Sequence, residues 1–172
     1  VNARGRKAKG YDLIISEHSN ATSSNKCNAT DRVDVFYAWD NWNKAQVLAD
    51  MLMNATAACM GVTKGKAKTR KSEKGDWDYY GIMRSARSVG CPLYYIVENS
   101  FHTNEAASLW LLDDDNIELL AEAQADAIAE YYNLSPKYAL GDVNADGKVN
   151  HYDYILIKRI VMGTYKPTDE EL

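Results

Sequence analysis

The sequence predicts an α/β domain, with helices on both faces of a mainly parallel sheet, followed by a small module of different pattern. Three observations carry this. Two short continuous apolar runs, DLIIS (12–16) and LYYIV (93–97), read as strands buried on both faces. Helical periodicity lies between and after them. Beyond a linker at 133–141 the pattern changes to alternating acids and amides. With 172 residues, 46% of them hydrophobic and 26% charged, the chain can bury a core. A net charge of −4 argues against a general nucleic-acid or membrane-surface binder. No run approaches the roughly 18 apolar residues of a membrane span.

The elements follow in order. The basic start, VNARGRKAKG, has no apolar stretch of the kind a signal peptide needs. DLIIS is a strand with Glu17 and His18 at its C-terminal end. Residues 20–34, rich in Asn, Ser and Thr, read as a loop, and VDVFYAW (33–39) alternates as a second strand. A helix is expected from about Asn41, capped by Asp40, with Ala45, Leu48, Leu52, Ala55 and Cys59 on one face and Gly61 as its stop. KGKAKTRKSEK (64–74) holds six basic side chains and one acid. It reads as a solvated loop or as an electrostatic contact to an anionic polymer. YYGIMRSARSV (79–89) is a short helix stopped by Gly90 and Pro92, and LYYIV is the next strand, ending in Glu98. Short and long helices follow at 105–112 and from about Asp115, the latter with Ile117, Leu120, Ala123, Ala127, Ile128 and Tyr131 on its apolar face. The three cysteines, Cys27, Cys59 and Cys91, are neither a disulfide framework nor a zinc ribbon, and they leave room for one Cys27–Cys59 bridge.

In open α/β folds ligands sit beyond the carboxyl ends of the strands. His18 and Glu98 both fall there. A neutral imidazole is a metal donor, and a carboxyl beside it is a general base or acid.

The local strings sharpen this. DLIISEHSNA (12–21), then YYGIMRSA (79–86) and YYIVENSFHTN (94–104), resemble the ordered motifs of zinc-dependent N-acetylmuramoyl-L-alanine amidases over about residues 4–132. The resemblance implies a phosphorylase/hydrolase-like three-layer fold, N-terminally incomplete, over residues 1–132. It implies cleavage of the amide between muramic acid and L-alanine of peptidoglycan, with Zn2+ held by His, Glu and His. His18 matches the last zinc-binding His and Glu98 the catalytic Glu. The family's first His and its zinc Glu lie upstream of this motif, and nothing in the 17 residues before His18 matches them. Glu17 and His102 are the available substitutes. Glu17 should point to the opposite strand face from His18, and His102 belongs to an F-H-T-N variant as a groove or structural residue. The expectation is a piece of an amidase with weak zinc binding and little or no hydrolysis. Its alternative is an inactive domain that binds peptidoglycan or a partner.

After the linker, DVNADGKVNHYD (142–153) reads D-x-N-x-D-G-x-x-N-x-x-D. Ca2+ wants six to eight oxygens. Asp142, Asn144 and Asp146 would supply side-chain oxygens, Lys148 its carbonyl, Asn150 a direct or water-borne contact, and Asp153 the last carboxylate. Gly147 permits the sharp turn. A short helix, YILIKRIVMG (154–163), follows. The segment 142–172 resembles one repeat of a type I dockerin, an incomplete α-helical EF-hand-like module. That resemblance implies docking onto a cohesin of a scaffoldin or surface protein, with His151, Tyr152, Lys158 and Arg159 helping to choose it. Wall-lytic motifs and a calcium loop imply an extracellular or wall-associated location. A cellulosomal carbohydrate-active enzyme is disfavoured, because no second carboxylate stands at a matching strand end.

Overall fold

A computed structural model describes residues 2–23, 26–134, 141–144 and 146–166. The chain divides into two compact units, Val1–Asn133 and Leu134–Leu172. The first holds α1 (Asn2–Arg6), β1 (Leu13–Asn20), β2 (Arg32–Phe36), α2 (Gln46–Met60), β3 (Thr63–Lys68), α3 (Gly81–Ser88), β4 (Leu93–Phe101), α4 (Glu105–Leu111) and α5 (Asp114–Tyr132). The second holds α6 (His151–Val161). No helix among the described residues is long and apolar enough to cross a membrane.

The strands form one sheet in the order β1-β4-β2-β3. β1 and β4 are parallel, and so are β2 and β3, joined by the crossover helix α2. β2 runs antiparallel to β4, so the sheet is mixed rather than mainly parallel. An apolar run reveals burial but not strand direction, and the antiparallel partner was therefore not legible in it.

β4 is one of the two interior strands, and its parity builds both layers. The Tyr95 hydroxyl donates to the Ala45 carbonyl at the start of α2, at 3.0 Å. The neighbouring Tyr94 hydroxyl donates to the Asp78 carboxylate at 3.1 Å, beside α3. Adjacent residues of one strand face opposite ways, so helices cover both faces. Val33, Val35, Leu48, Leu52, Met83, Tyr94, Tyr95 and Val97 fill the core.

Several boundaries differ from expectation. β1 continues through Glu17 and His18, which lie within the strand rather than after it. α2 starts only at Gln46, because Asn41, Asn43 and Lys44 have positive φ. Asn41, not Asp40, accepts the Gln46 N–H at 2.9 Å. Asp40 instead forms a two-pronged pair with Arg87 at 3.0 and 2.9 Å. Gly61 does end α2 in the left-handed region, at φ 66°.

The first part of the basic segment, Lys64 to Lys68, belongs to the edge strand β3 rather than to a loop. Its lysines leave a charged edge of the kind that discourages strand-to-strand association. Opposite Asp34 the β2–β3 register shifts, and a Cβ on Gly65 would stand 2.3 Å from both the Asp34 carboxylate and the Val33 carbonyl. Only glycine allows that approach. The basic start also forms a helix, α1. Gly5 brings it onto α3, where a Cβ would meet the Ile82 carbonyl at 2.3 Å. All three cysteines are free, so the Cys27–Cys59 bridge is not formed. Most of the expected linker (135–140) and the final residues (167–172) lie outside the described residues.

Asp78 is buried, accepting from the Trp39 N–H at 2.8 Å and from Tyr94. Burial pushes its carboxyl above the ordinary range, against the hydrogen bonds that favour the charged form. The folded chain therefore holds this proton more tightly than the unfolded chain does. Its contribution to stability is full below the ordinary carboxylate pKa and is lost as pH rises through the raised value. We expect Asp78→Asn to gain melting temperature relative to the parent as pH rises from 4 toward 7, measured by thermal melts. A pH-independent difference would contradict this.

Candidate functional site

The register of three strands builds the site. His18 of β1 pairs with Glu98 of β4, and Glu98 faces Asp34 of β2. Directly paired residues project to the same face. One row of ionisable groups thus crosses the sheet on the face covered by α3. Lys68 of β3 extends it, its ammonium lying 2.8 Å from the Asp34 carboxylate. Arg32 approaches the same oxygen at 3.3 Å, and the Lys66 N–H donates to Asp34 Oδ1 at 3.0 Å. Asp34 is 1% exposed, so these partners compensate a fully buried charge.

Glu98 is half-buried, the one residue of β4 that is not fully buried. Burial raises its carboxyl above the usual range. His18, Lys68 and His102 pull it back, while Asp34 adds to the rise. A carboxyl so placed can hold or release a proton nearer neutrality than a free one.

His18 is exposed on the outer strand, and its Nε2 lies 2.9 Å from the Ser16 hydroxyl. It lines a cleft of about 180 Å3 with Arg4, Ser16, Tyr80, Ile82 and Ile96. Just past Glu98 the β1–β4 register slips, and Ser100 takes a positive φ of 57°. The slip turns the chain so that the His102 N–H donates to the Asn20 carbonyl at 2.9 Å. The His102 ring meets Ser19, its Nδ1 lying 3.1 Å from the hydroxyl.

Glu17 pairs with Val97 and projects to the other face. It accepts from Asn99 Nδ2 at 2.6 Å, and Gln124 links Asn99 to Thr56. Burial raises the Glu17 carboxyl, although the side chain as a whole keeps an exposed flank on the edge strand. Glu17 therefore serves a structural network behind the sheet and is not a stand-in donor beside His18.

Among the described residues no three His, Cys, Asp or Glu side chains converge to hold a metal. The row offers one imidazole and one partly shielded carboxyl, while Asp34 is consumed by Lys68 and Arg32. These residues do not fit the His–Glu–His zinc set that the resemblance implies.

Asp34 and Lys68 are site members that sequence reasoning missed. The signal was available in VDV (33–35), an acid at the middle of a buried strand, with alternating lysines at 64, 66 and 68.

In the second unit, Asp142 and Asp153 are buried at 7% and 2% exposure. Asp142 accepts from the N–H groups of Asp146 and Gly147 at 3.1 and 2.8 Å. Asp153 accepts from those of Val143, Asn144 and Asn150, and these bonds hold its carboxyl below the ordinary range. Asp146 accepts from the Lys148 N–H at 2.9 Å, and Gly147 has φ 82° at the turn. Asn150 and Asp153 form a reciprocal cap on α6. His151, Tyr152, Lys158 and Arg159 are all exposed, as are Ile155 and Val161.

No family model matches the chain, and no curated protein matches it. Solved structures do. An N-acetylmuramoyl-L-alanine amidase from Clostridium difficile 630 superposes with a TM-score of 0.61 at 15% identity, covering 78% of this chain and 66% of that one. Cwp6 from Clostridium difficile gives 0.60 at 19% identity, with 75% of this chain and 19% of that one covered. The catalytic domain of CwlV, an N-acetylmuramoyl-L-alanine amidase from Bacillus (Paenibacillus) polymyxa var. colistinus, gives 0.55 at 18%, with 72% and 59% covered. The mixed α/β fold is thus shared with these proteins, and the chain spans less than two thirds of the length of each.

A complete protein donor set binds zinc with about 10–16 kcal/mol. With one imidazole and one carboxyl converging, we expect calorimetry of the chain with micromolar zinc to show no saturating 1:1 transition. A sharp 1:1 isotherm lost in His18→Ala would contradict this.

Proposed function

We propose that the first unit is a peptidoglycan-directed amidase domain acting on the amide between the N-acetylmuramic lactyl group and L-alanine. The observation that carries the reading is the pairing of half-buried Glu98 with exposed His18 on one face of the sheet, with the Glu98 carboxyl raised by burial. The amidase-like fold supports it.

In this reading Glu98 is the general base and then the general acid. As carboxylate it takes a proton from the water whose oxygen attacks the lactyl carbonyl carbon. The C–N bond breaks, and the proton passes to the departing amine nitrogen of L-alanine. A free lactyl carboxylate and a stem peptide with a free amine remain. His18, opposite Glu98, favours the carboxylate while the attack proceeds. Lys68 and Arg32 neutralise Asp34, so that the row does not carry two bare carboxylates.

A second reading, in which the same face binds peptidoglycan without turnover, is favoured by the pairing of His18 with a single carboxyl, Glu98, while Asp34 is taken up by Lys68 and Arg32.

For the second unit we propose a calcium-binding, dockerin-like module over 142–172 that docks a cohesin partner, preceded by a linker at 133–141. Oxygen donors at six loop positions, Gly147 at the turn and two buried acids support it. The exposed His151, Tyr152, Lys158 and Arg159 are its recognition residues. Both units point to an extracellular or wall-associated location.

Incubation with purified muropeptides, followed by detection of freed stem peptide, decides between the first two readings. An amidase releases it, and Glu98→Gln slows release by about 100-fold or more. Retention on wall sacculi without release leaves the binding reading, and neither outcome removes both. For the second unit, calcium at about a hundredfold over its Kd should add about 2.7 kcal/mol of stability. Asp142→Ala should abolish the gain in a calcium-dependent melt. Equal melts with calcium and with chelator would overturn the calcium assignment.

A further inference from the structure

The segment between β3 and α3 is a built structure rather than a solvated loop. The Ser72 N–H donates to the Trp77 carbonyl at 2.8 Å, and the Tyr79 N–H donates to the Arg70 carbonyl at 2.8 Å. Lys71 and Asp78 form an antiparallel bridge. Lys71 also pairs with Asp76 at 2.6 Å. Buried Asp78 anchors the base of this hairpin in the core. Such a frame pays its ordering cost on folding, so little entropy is lost when a ligand binds.

Between the hairpin and α3 lies a groove of about 660 Å3, lined by Arg70, Ser72, Glu73, Lys74, Trp77, Tyr79 and Arg84. Three of these side chains are cationic and one is acidic. Trp77 and Tyr79 are large aromatics left 44% and 47% exposed. Each cation but one is fixed in place. The Arg70 guanidinium stacks on the Tyr79 ring at 3.6 Å from its centroid. Arg84 Nη1 donates to the carbonyls of Asp78 and Tyr79 at 2.8 and 2.6 Å. Lys74 stands exposed at the tip.

Trp77 is equally fixed. Its ring lies against Gly75, where a Cβ would come within 2.2 Å of it. The six-membered ring of the indole thus packs close to the Gly75 backbone, while the side chain lines the groove with its exposed surface. A flat apolar platform beside fixed cations matches a sugar ring bearing a negative substituent. The groove also adjoins the His18 cleft. Tyr79 lines the groove and Tyr80 lines the cleft, and their rings meet edge to face at 5.2 Å.

We propose that this groove is a binding subsite for an anionic saccharide polymer, with a sugar ring stacked on Trp77 and its carboxylate or phosphate held by Lys74, Arg70 and Arg84. Only the source of the polymer, the bacterial wall, rests on the reading under Proposed function. The groove chemistry does not depend on Glu98.

The test is retention of the full chain on purified wall sacculi across a salt series. We expect Trp77→Ala and Lys74→Glu each to weaken retention by about tenfold. Lys74→Glu should also flatten the salt dependence. Gly75→Ala, which strains a φ of 159° and drives a Cβ into the Trp77 ring without changing charge, should weaken retention with the salt dependence intact. Treating sacculi with hydrofluoric acid strips phosphodiester-linked polymers. Loss of parent binding then identifies phosphate as the anion, and unchanged binding identifies carboxylates of peptidoglycan itself. Parental retention by Trp77→Ala and Lys74→Glu, both with parental melting curves, would overturn the proposal. Should Trp77→Ala fail to fold, the exposed Lys74→Glu decides alone. Turnover in Glu98→Gln reads the cleft, so failure there and failure in the groove are distinct.

Discussion

The pairing of β4 with β1 on one side and β2 on the other decides which side chains can meet. Because side chains alternate along a strand, one register sets His18, Glu98 and Asp34 on one face and Glu17 with Asn99 on the other. A slip of one residue would bury Glu98 against α2 and α5 and bring Asn99 forward. The hydroxyls of Tyr94 and Tyr95 resist it, since each reaches a fixed acceptor on its own side of the sheet. The Glu17–Asn99–Gln124–Thr56 network does the same from behind. The polar network is thus a register device, and the functional row is what it holds in place.

Burial then gives the row its chemistry. Three acids lie in or behind it, and each is handled differently. Asp34 is buried and matched by cations, Glu17 is crowded and satisfied by amides, and Glu98 is half-buried and left facing an imidazole. Only the last combination leaves a shielded carboxyl that faces an imidazole and is not engaged by amide donors. The missing element is electrophilic assistance to a carbonyl, since the row alone does not assemble a three-donor metal site.

Much of this was legible in the residues. The apolar runs located β1 and β4, Gly61 and Gly90 marked helix ends, and His18 and Glu98 stood out as polar residues at the ends of buried runs. The antiparallel β2 was not, because strand direction depends on a tertiary pairing that alternation does not encode. Nor was β3: KGKAK has low β-propensity, and it pairs because Gly65 fits against Asp34 and the lysines keep an edge soluble. The basic segment read as solvated because charge counting cannot see that a buried Asp78 ties its far end to the core.

The most direct test of the central claim is a backbone NMR titration of the chain with N-acetylmuramoyl-L-alanyl dipeptide. A substrate-facing row set by the β4 register predicts that shifts concentrate at Ser16, His18, Ile96 and Glu98 and vanish in Glu98→Gln paired with His18→Ala. Shifts confined to Glu17, Asn99 and Gln124, or absent at saturating ligand, would contradict it.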